Sequence, residues 1–399
     1  MSQTADTSEH RFLLGALAAG HMTNDWVAGT LWILAPAIAA SMGLGPTEVG
    51  LILAINGLGA GLAYIPAGII ADRSSHPGWL MMMTFWWVAI GYFCATLVPG
   101  FWGITLMLAV GVMGDAFWHP VATGVLVKTM PTQRAQVLGI HAVGGSIGAE
   151  VLGPITTGFL LGYFSWQTSL QILVLPAIIM GIVFIYVARR IGTVAQQKMS
   201  AVDFRELLRR WGSRRGVQLI ALMICYNMAL MATLAMTPLS LQNDYALSPF
   251  VTSIVFAGIL LVGTALQPIA GKRSDRKGRR RVILGILIVA VIASMVAAFS
   301  SGLILFLFGI FSSIVVLTAV RPVVLAAAVD FSSKSEATTL GIVFATLDGV
   351  GALGALCGGM IGEFGLQYAY AFAAAMACLS ALLCALFVFE SSQVQVQTG

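Results

Sequence analysis

The chain has 399 residues, 58% of them apolar and 9% charged, with a mean hydropathy of +0.92. A soluble domain carries about 25% charged residues, so too little polar surface is present to cover a particle in water, and the composition excludes a soluble globular fold. The formal net charge of +5 reads as an orientation signal for a membrane protein rather than as a nucleic-acid footprint.

The polar start MSQTADTSEHR lacks the basic n-region and cleavage site of a signal peptide, so the first apolar stretch is expected to be retained. A helix crossing a hydrocarbon core about 30 Å thick needs about 20 apolar residues. Such runs recur near 12–40, 48–70, 79–98, 102–127, 136–160, 167–188, 217–240, 250–270, 282–300, 303–329, 340–362 and 368–389. They predict an all-α membrane protein of twelve transmembrane helices, because lipid satisfies no open backbone groups and the short alternating strands of a barrel are absent. With the N-terminus in the cytoplasm, 20 of the 21 Lys and Arg fall at cytoplasmic ends or loops, and the outer loops carry only Glu48, Asp244 and Glu363. This positive-inside bias predicts a multi-pass inner (plasma) membrane protein with both termini cytoplasmic. Cys94, Cys225, Cys357, Cys378 and Cys384 all lie in predicted spans without CxxC spacing, so neither a disulfide framework nor a zinc site is expected.

An offset of about 202 residues lays the second half on the first: Pro36 on Pro238, Pro66 on Pro268, and HPVATGVLVK (119–128) on RPVVLAAAVD (321–330). The expected domains are a six-helix bundle over 1–190, a basic cytoplasmic linker over 191–216 and a second six-helix bundle over 217–399. Internal repeats of this kind mark secondary transporters, with the substrate site between the halves near the bilayer midplane. The segment 189–215 holds eight Lys or Arg against two acids, and its VDFRELLRRW stretch reads as an amphipathic helix on the inner membrane surface.

GIIADRSSHPG (68–78) and GKRSDRKGRRR (271–281) end the second and eighth spans and share Gly-x-x-x-Asp-Arg, read as lying in the inner loop of each half. The pair resembles the loop motif of the major facilitator superfamily. Gly68, Asp72 and Arg73 carry the first copy, and Gly271, Asp275, Arg276, Gly278 and Arg280 the second. Glycine permits close helix approach, while an Asp can cap a helix or pair with an Arg. By resemblance these residues hold the state closed to the cytoplasm.

Ionisable groups inside a membrane are functional-site hypotheses by default. The first span holds His21, Asn24 and Asp25, whose spacing is expected to put all three on one face. The fourth holds Asp115 and His119, the fifth His141 and Glu150, the seventh Asn227, the tenth Arg321 and the eleventh Asp348. At ~1.5 Å rise per residue, Asp25 and Asp115 lie about 20 Å deep, and His21, His119 and Arg321 about 13 Å. An imidazole titrates near pH 6.5 in water, which suits proton exchange. Arg321 is read either as the contact for an anionic solute or as counter-ion to Asp348 or Glu150.

His-x-x-Asn-Asp in the first span, with aromatic-His-Pro at Trp118, His119 and Pro120, resembles the fosmidomycin resistance protein family, proton-driven efflux carriers. Trp118 stands where that family has Phe, and Val121 where an acid commonly follows. By this resemblance His21, Asn24, Asp25, Trp118 and His119 form the coupling and binding face. Glycines before Gly153-Pro154 in GGSIGAEVLGPITTG resemble the Gly-Pro motif of superfamily antiporters. The expected function is a proton-coupled exporter of a small organic or anionic compound, acting as a monomer; the alternative is a proton-coupled importer of a small organic acid. No HExxH, GxSxG or Walker motif occurs, so no enzyme, metal, cofactor or ATP chemistry is expected.

Overall fold

A computed structural model describes residues 2–130, 133–191, 206, 209–332 and 341–389, with the side chains of residues 2–8, Asp72 and Ala135 outside the description. Twelve helical spans follow in chain order. Span 1 is Ser2–Gly29 continued by Leu31–Ser41, span 2 Pro46–Arg73, span 3 Pro77–Ala95 and span 4 Phe101–Thr129. Span 5 joins Arg134–Ser146, a π-helical turn Ile147–Leu152 and Gly153–Leu161; span 6 joins Trp166–Leu173 and Leu175–Arg190. Spans 7 to 10 are Arg214–Asn243, Pro249–Lys277, Arg279–Ala298 and Leu303–Ser332. Span 11 covers Gly341–Gly362 with a π-helical turn at Ala345–Gly349, and span 12 is Leu366–Leu386. Eleven of these are long and apolar enough to cross a membrane.

Local chemistry sets the ends and bends. Proline opens spans 2, 3 and 8 at Pro46, Pro77 and Pro249, where its missing N–H costs nothing. Ser213 and Ser248 accept from the Gly216 and Val251 backbone N–H groups as N-caps. Pro36, Pro66, Pro120, Pro238, Pro268 and Pro322 sit inside helices in matching pairs, so both halves bend at equivalent levels.

The two motifs differ from the loop expectation. Helix continues through GIIADR to Arg73 and through GKRSDRK to Lys277. The turn after span 8 is Gly278 alone, at φ 86°, a conformation that glycine adopts without penalty. Asp275 therefore lies in a last helical turn and caps no helix start. Arg279 instead ties it to span 10, binding Asp275, the Ser274 hydroxyl at 2.9 Å and Asp330 at 3.1 Å. Arg280 binds the Ala385 carbonyl. The Asp72 side chain and most of the 191–216 linker, including VDFR (202–205), lie outside the described residues.

Neutral polar bonds knit the second half: Tyr226 Oη donates to the Leu317 carbonyl (2.7 Å), Asn227 Nδ2 to Leu347 (2.6 Å) and Ser380 Oγ to Leu222 (3.0 Å). Inside a bilayer such bonds average about 0.6 kcal/mol and reach about 1.7 kcal/mol. Asn227→Ala is expected to lower the unfolding midpoint of detergent-purified protein by about 1 kcal/mol of stability without blocking insertion. An unchanged midpoint would contradict the assignment.

The halves meet along two seams, span 2 against span 11 and span 5 against span 8, on the face opposite the termini. There the backbones touch. A methyl group on Gly61 would stand 2.8 Å from the Gly349 Cα, one on Gly359 3.0 Å from the Pro46 carbonyl carbon, and one on Gly158 2.6 Å from the Pro249 oxygen. Glu363 closes the first seam by accepting from the Thr47 N–H at 3.0 Å. On the terminus-bearing face, methyl groups on Gly68, Gly139, Gly271 and Gly341 would meet no described atom within 4 Å. Among the described residues, the close backbone contacts between the halves thus lie opposite the termini.

Candidate functional site

Spans 1 and 4 bring the predicted acids and imidazoles together. Helical spacing of four places His21 and Asp25 on one face of span 1, and Asp115 and His119 on one face of span 4. His21 Nε2 lies 3.3 Å from Asp25 Oδ2, and His119 Nε2 stands 3.9 Å from Asp25 Oδ1 and 3.8 Å from Asp115 Oδ2. One imidazole is therefore shared by two carboxyl groups. His21 Nδ1 faces the His141 carbonyl oxygen at 2.8 Å. A carbonyl only accepts, so Nδ1 carries a proton and Nε2 is turned to Asp25. His141 stacks on His21, with ring centroids 4.1 Å apart. The His119 side chain keeps 25% of its exposure and Asp25 15%, so water reaches this cluster in the middle of the helices. Gly145 leaves the room: a methyl group there would stand 2.8 Å from Asp25 Oδ2.

Across the pocket, Arg321 of span 10 binds Asp348 of span 11 at 2.6 Å, with side chains 26% and 21% exposed. Of the two internal acids considered from the sequence, Asp348 and not Glu150 is the one in ion-pair contact with the guanidinium among the described residues. Tyr64 of span 2 stands between the two groups. Its ring lies 6.0 Å from the His119 ring and its hydroxyl 3.5 Å from Asp348 Oδ2. Glu150 sits apart and accepts from Thr264 Oγ1 of span 8 at 2.5 Å. Glu150 and Asp348 each occupy a π-helical turn, of spans 5 and 11. Such turns recur at functional sites because they redirect one side chain out of the helical register.

Three expected pocket residues point elsewhere. Asn24 is fully buried, with neither amide atom hydrogen-bonded among the described residues. Trp118 is fully buried between Phe85 and Phe184, at centroid distances of 5.1 and 5.4 Å. Each precedes a pocket-facing residue, Asp25 or His119, and one helical step turns a side chain by about 100°. Both therefore face the bundle and back the site rather than line it. Asn227, the repeat partner of Asp25, is also fully buried and bonded to Leu347. Gly351 makes room for it, since a methyl group there would lie 2.7 Å from the Asn227 side chain.

Tyr64, Thr264, Asp330 and Glu363 were not singled out as site residues from the sequence. A Tyr or Thr within an apolar run carries no signature of its own, and the pairing of Asp330 or Glu363 depends on how the helices pack. His21, Asp25 and His119 have ligand atoms all within 4.8 Å of one another. Zinc bonds of about 2.0–2.1 Å in a tetrahedron require ligands about 3.3 Å apart, so the set as it stands is wider than a closed metal site. Its spacing suits groups that exchange a proton through short movements.

The chain resembles known carriers along its length. It is 22% identical over 363 residues to the fosmidomycin resistance protein of Escherichia coli (strain K12), covering 88% of this chain and 86% of that protein. It is 24% identical over 382 residues to the uncharacterized MFS-type transporter YfnC of Bacillus subtilis (strain 168), covering 91% and 90%. The nucleoside transporter NupG has the same fold, with a TM-score of 0.75 at 16% identity, covering 94% of this chain and 98% of that one. The Major Facilitator Superfamily model matches residues 17–241 and again 219–398. The helical spans and their cluster of ionisable groups agree with that match, and the chain belongs to the Major Facilitator Superfamily, as a membrane transporter and not an enzyme.

Proposed function

We propose that the protein is a proton-coupled secondary transporter of the inner (plasma) membrane that exports a small organic or anionic compound by alternating access, working as a monomer. The observation that carries this reading is the placement of Asp25, Asp115, His21 and His119 in one water-accessible cluster, where each imidazole lies within 4 Å of a carboxyl group. A proton moves among such groups with little rearrangement, and its presence changes the charge that a solute meets. The positive-inside rule puts the terminus-bearing face in the cytoplasm, so the conformation described loads from the cell interior. The units that rock are the bundles 1–190 and 217–399, joined by the basic linker 191–216. Gly68, Asp72 and Arg73 with Gly271, Asp275, Arg276, Gly278 and Arg280 would draw together when the cytoplasmic side closes.

Export is favoured over import by the likeness to a protein whose name records drug resistance. An anionic solute would have to share Arg321 with Asp348, which already binds it at 2.6 Å. The test is accumulation of a labelled solute panel, anionic phosphonates included, in cells with and without the protein, each repeated with a protonophore. Lower accumulation that the protonophore restores is the expected result. Higher accumulation that the protonophore abolishes would replace export with import.

A further inference from the structure

Each of the two π-helical turns carries an acid, and both acids reach out of their own half. Glu150 belongs to span 5 of the first half and accepts from Thr264 of span 8 in the second, at 2.5 Å. Asp348 belongs to span 11 of the second half and meets the Tyr64 hydroxyl of span 2 in the first, at 3.5 Å. Each contact lies beside a close-packed seam: Gly57 and Gly61 precede Tyr64 along span 2, and Gly158 follows Glu150 along span 5. The two contacts differ in charge balance. Arg321 neutralises Asp348 directly. Among the described residues no cation lies within ion-pair distance of Glu150, and Arg321 of span 10 and Asp25 of span 1 are the charged groups that reach it through space.

We infer that Glu150 and Thr264 form a proton-sensitive latch across the halves, and that Asp348 and Tyr64 form a charge-compensated contact on the other seam. The inference rests on the transporter reading for its purpose but not for its measurement. An ionised Glu150 takes a charge-assisted bond from Thr264, roughly twice as strong as a neutral one, in surroundings whose low dielectric strengthens it further. Protonation leaves a neutral bond and frees spans 5 and 8 to part. The latch thus holds the face opposite the termini shut while Glu150 is ionised and releases it when a proton arrives. Glu150 acts here as a positioning residue.

The test needs no substrate. Leu97 and Phe299 are exposed at equivalent points of the two halves on the sealed face. In protein whose five native cysteines are replaced, spin labels at Leu97→Cys and Phe299→Cys report the gap by pulsed electron resonance in lipid nanodiscs. The closed-to-open ratio is expected to rise with pH. Glu150→Gln and Thr264→Val should each lower that ratio about tenfold at high pH and flatten its pH dependence, and combining them should add nothing. Tyr64→Phe should shift the ratio less and leave the pH dependence in place. A pH dependence that survives both Glu150→Gln and Thr264→Val would overturn the latch. Additive effects of the two substitutions would do so as well. Either result can coexist with intact proton-driven transport in cells, so the latch and the transporter reading fail separately.

Discussion

Asp25→Asn is expected to abolish proton-coupled transport while leaving the protein folded and inserted. The amide is the same size as the carboxyl and can still bond His21, whose ring lies 3.3 Å away, so packing is preserved. The charge that makes the cluster exchange protons is lost. Asp115 would then be the remaining carboxyl beside His119, at 3.8 Å, and the imidazole would be committed to one partner instead of shared between two. Solute exchange without net accumulation should persist, because it requires only rocking around a loaded pocket. The check is to compare gradient-driven uptake with exchange in proteoliposomes. Unimpaired gradient-driven uptake by the variant would remove Asp25 from the coupling step.

Gly57→Leu is expected to stop transport by a different route. A methyl group on Gly57 would already lie 2.5 Å from the Asp348 carbonyl oxygen and closer still to the Ala352 side chain, so span 2 could no longer reach span 11. Overpacking costs about 1–3 kcal/mol, which corresponds to about a 5- to 150-fold change in an equilibrium. Here it falls on the state sealed opposite the termini, because the clash exists only when the seam is shut. The variant should insert normally, dwell with that face parted and turn over slowly. Distance measurements between labels at Leu97→Cys and Phe299→Cys would read the shift. A wild-type distance distribution would mean that the seam has slack that the close backbone approach does not suggest.

The sequence and the structure agree wherever a strong periodic or electrostatic signal was present. Twelve apolar runs became twelve helical spans with ends displaced by a few residues, and the paired prolines fell at equivalent bends. His21 with Asp25 and Asp115 with His119 were legible as a cluster because spacing of four fixes a shared face and because charge in an apolar span needs a partner. Asn24 and Trp118 were misjudged for want of one number, the rotation of each helix about its axis. Polarity alone did not show that one step before a pocket-facing residue turns into the bundle. Asn227 followed the repeat in position but not in role, since its amide satisfies a backbone carbonyl inside its own half. The π-helical turns had no sequence signature, so the placement of Glu150 and Asp348, each in such a turn, emerged only from the fold. The motif aspartates were read as lying in loops because Gly and charge usually end a helix. At the second motif Arg279, beyond the turn, pairs with Asp275 and Asp330 together.

The most direct test of coupled export is proton movement on solute addition. Purified protein would be sealed into liposomes containing a pH-sensitive dye, and a solute identified by the accumulation screen would be added outside without any imposed gradient. An exporter that exchanges solute for protons predicts that solute entering by the reverse reaction drives protons out, so the lumen turns alkaline, and that Asp25→Asn abolishes the signal. Solute entry with no change in lumenal pH, or with acidification, would contradict the account.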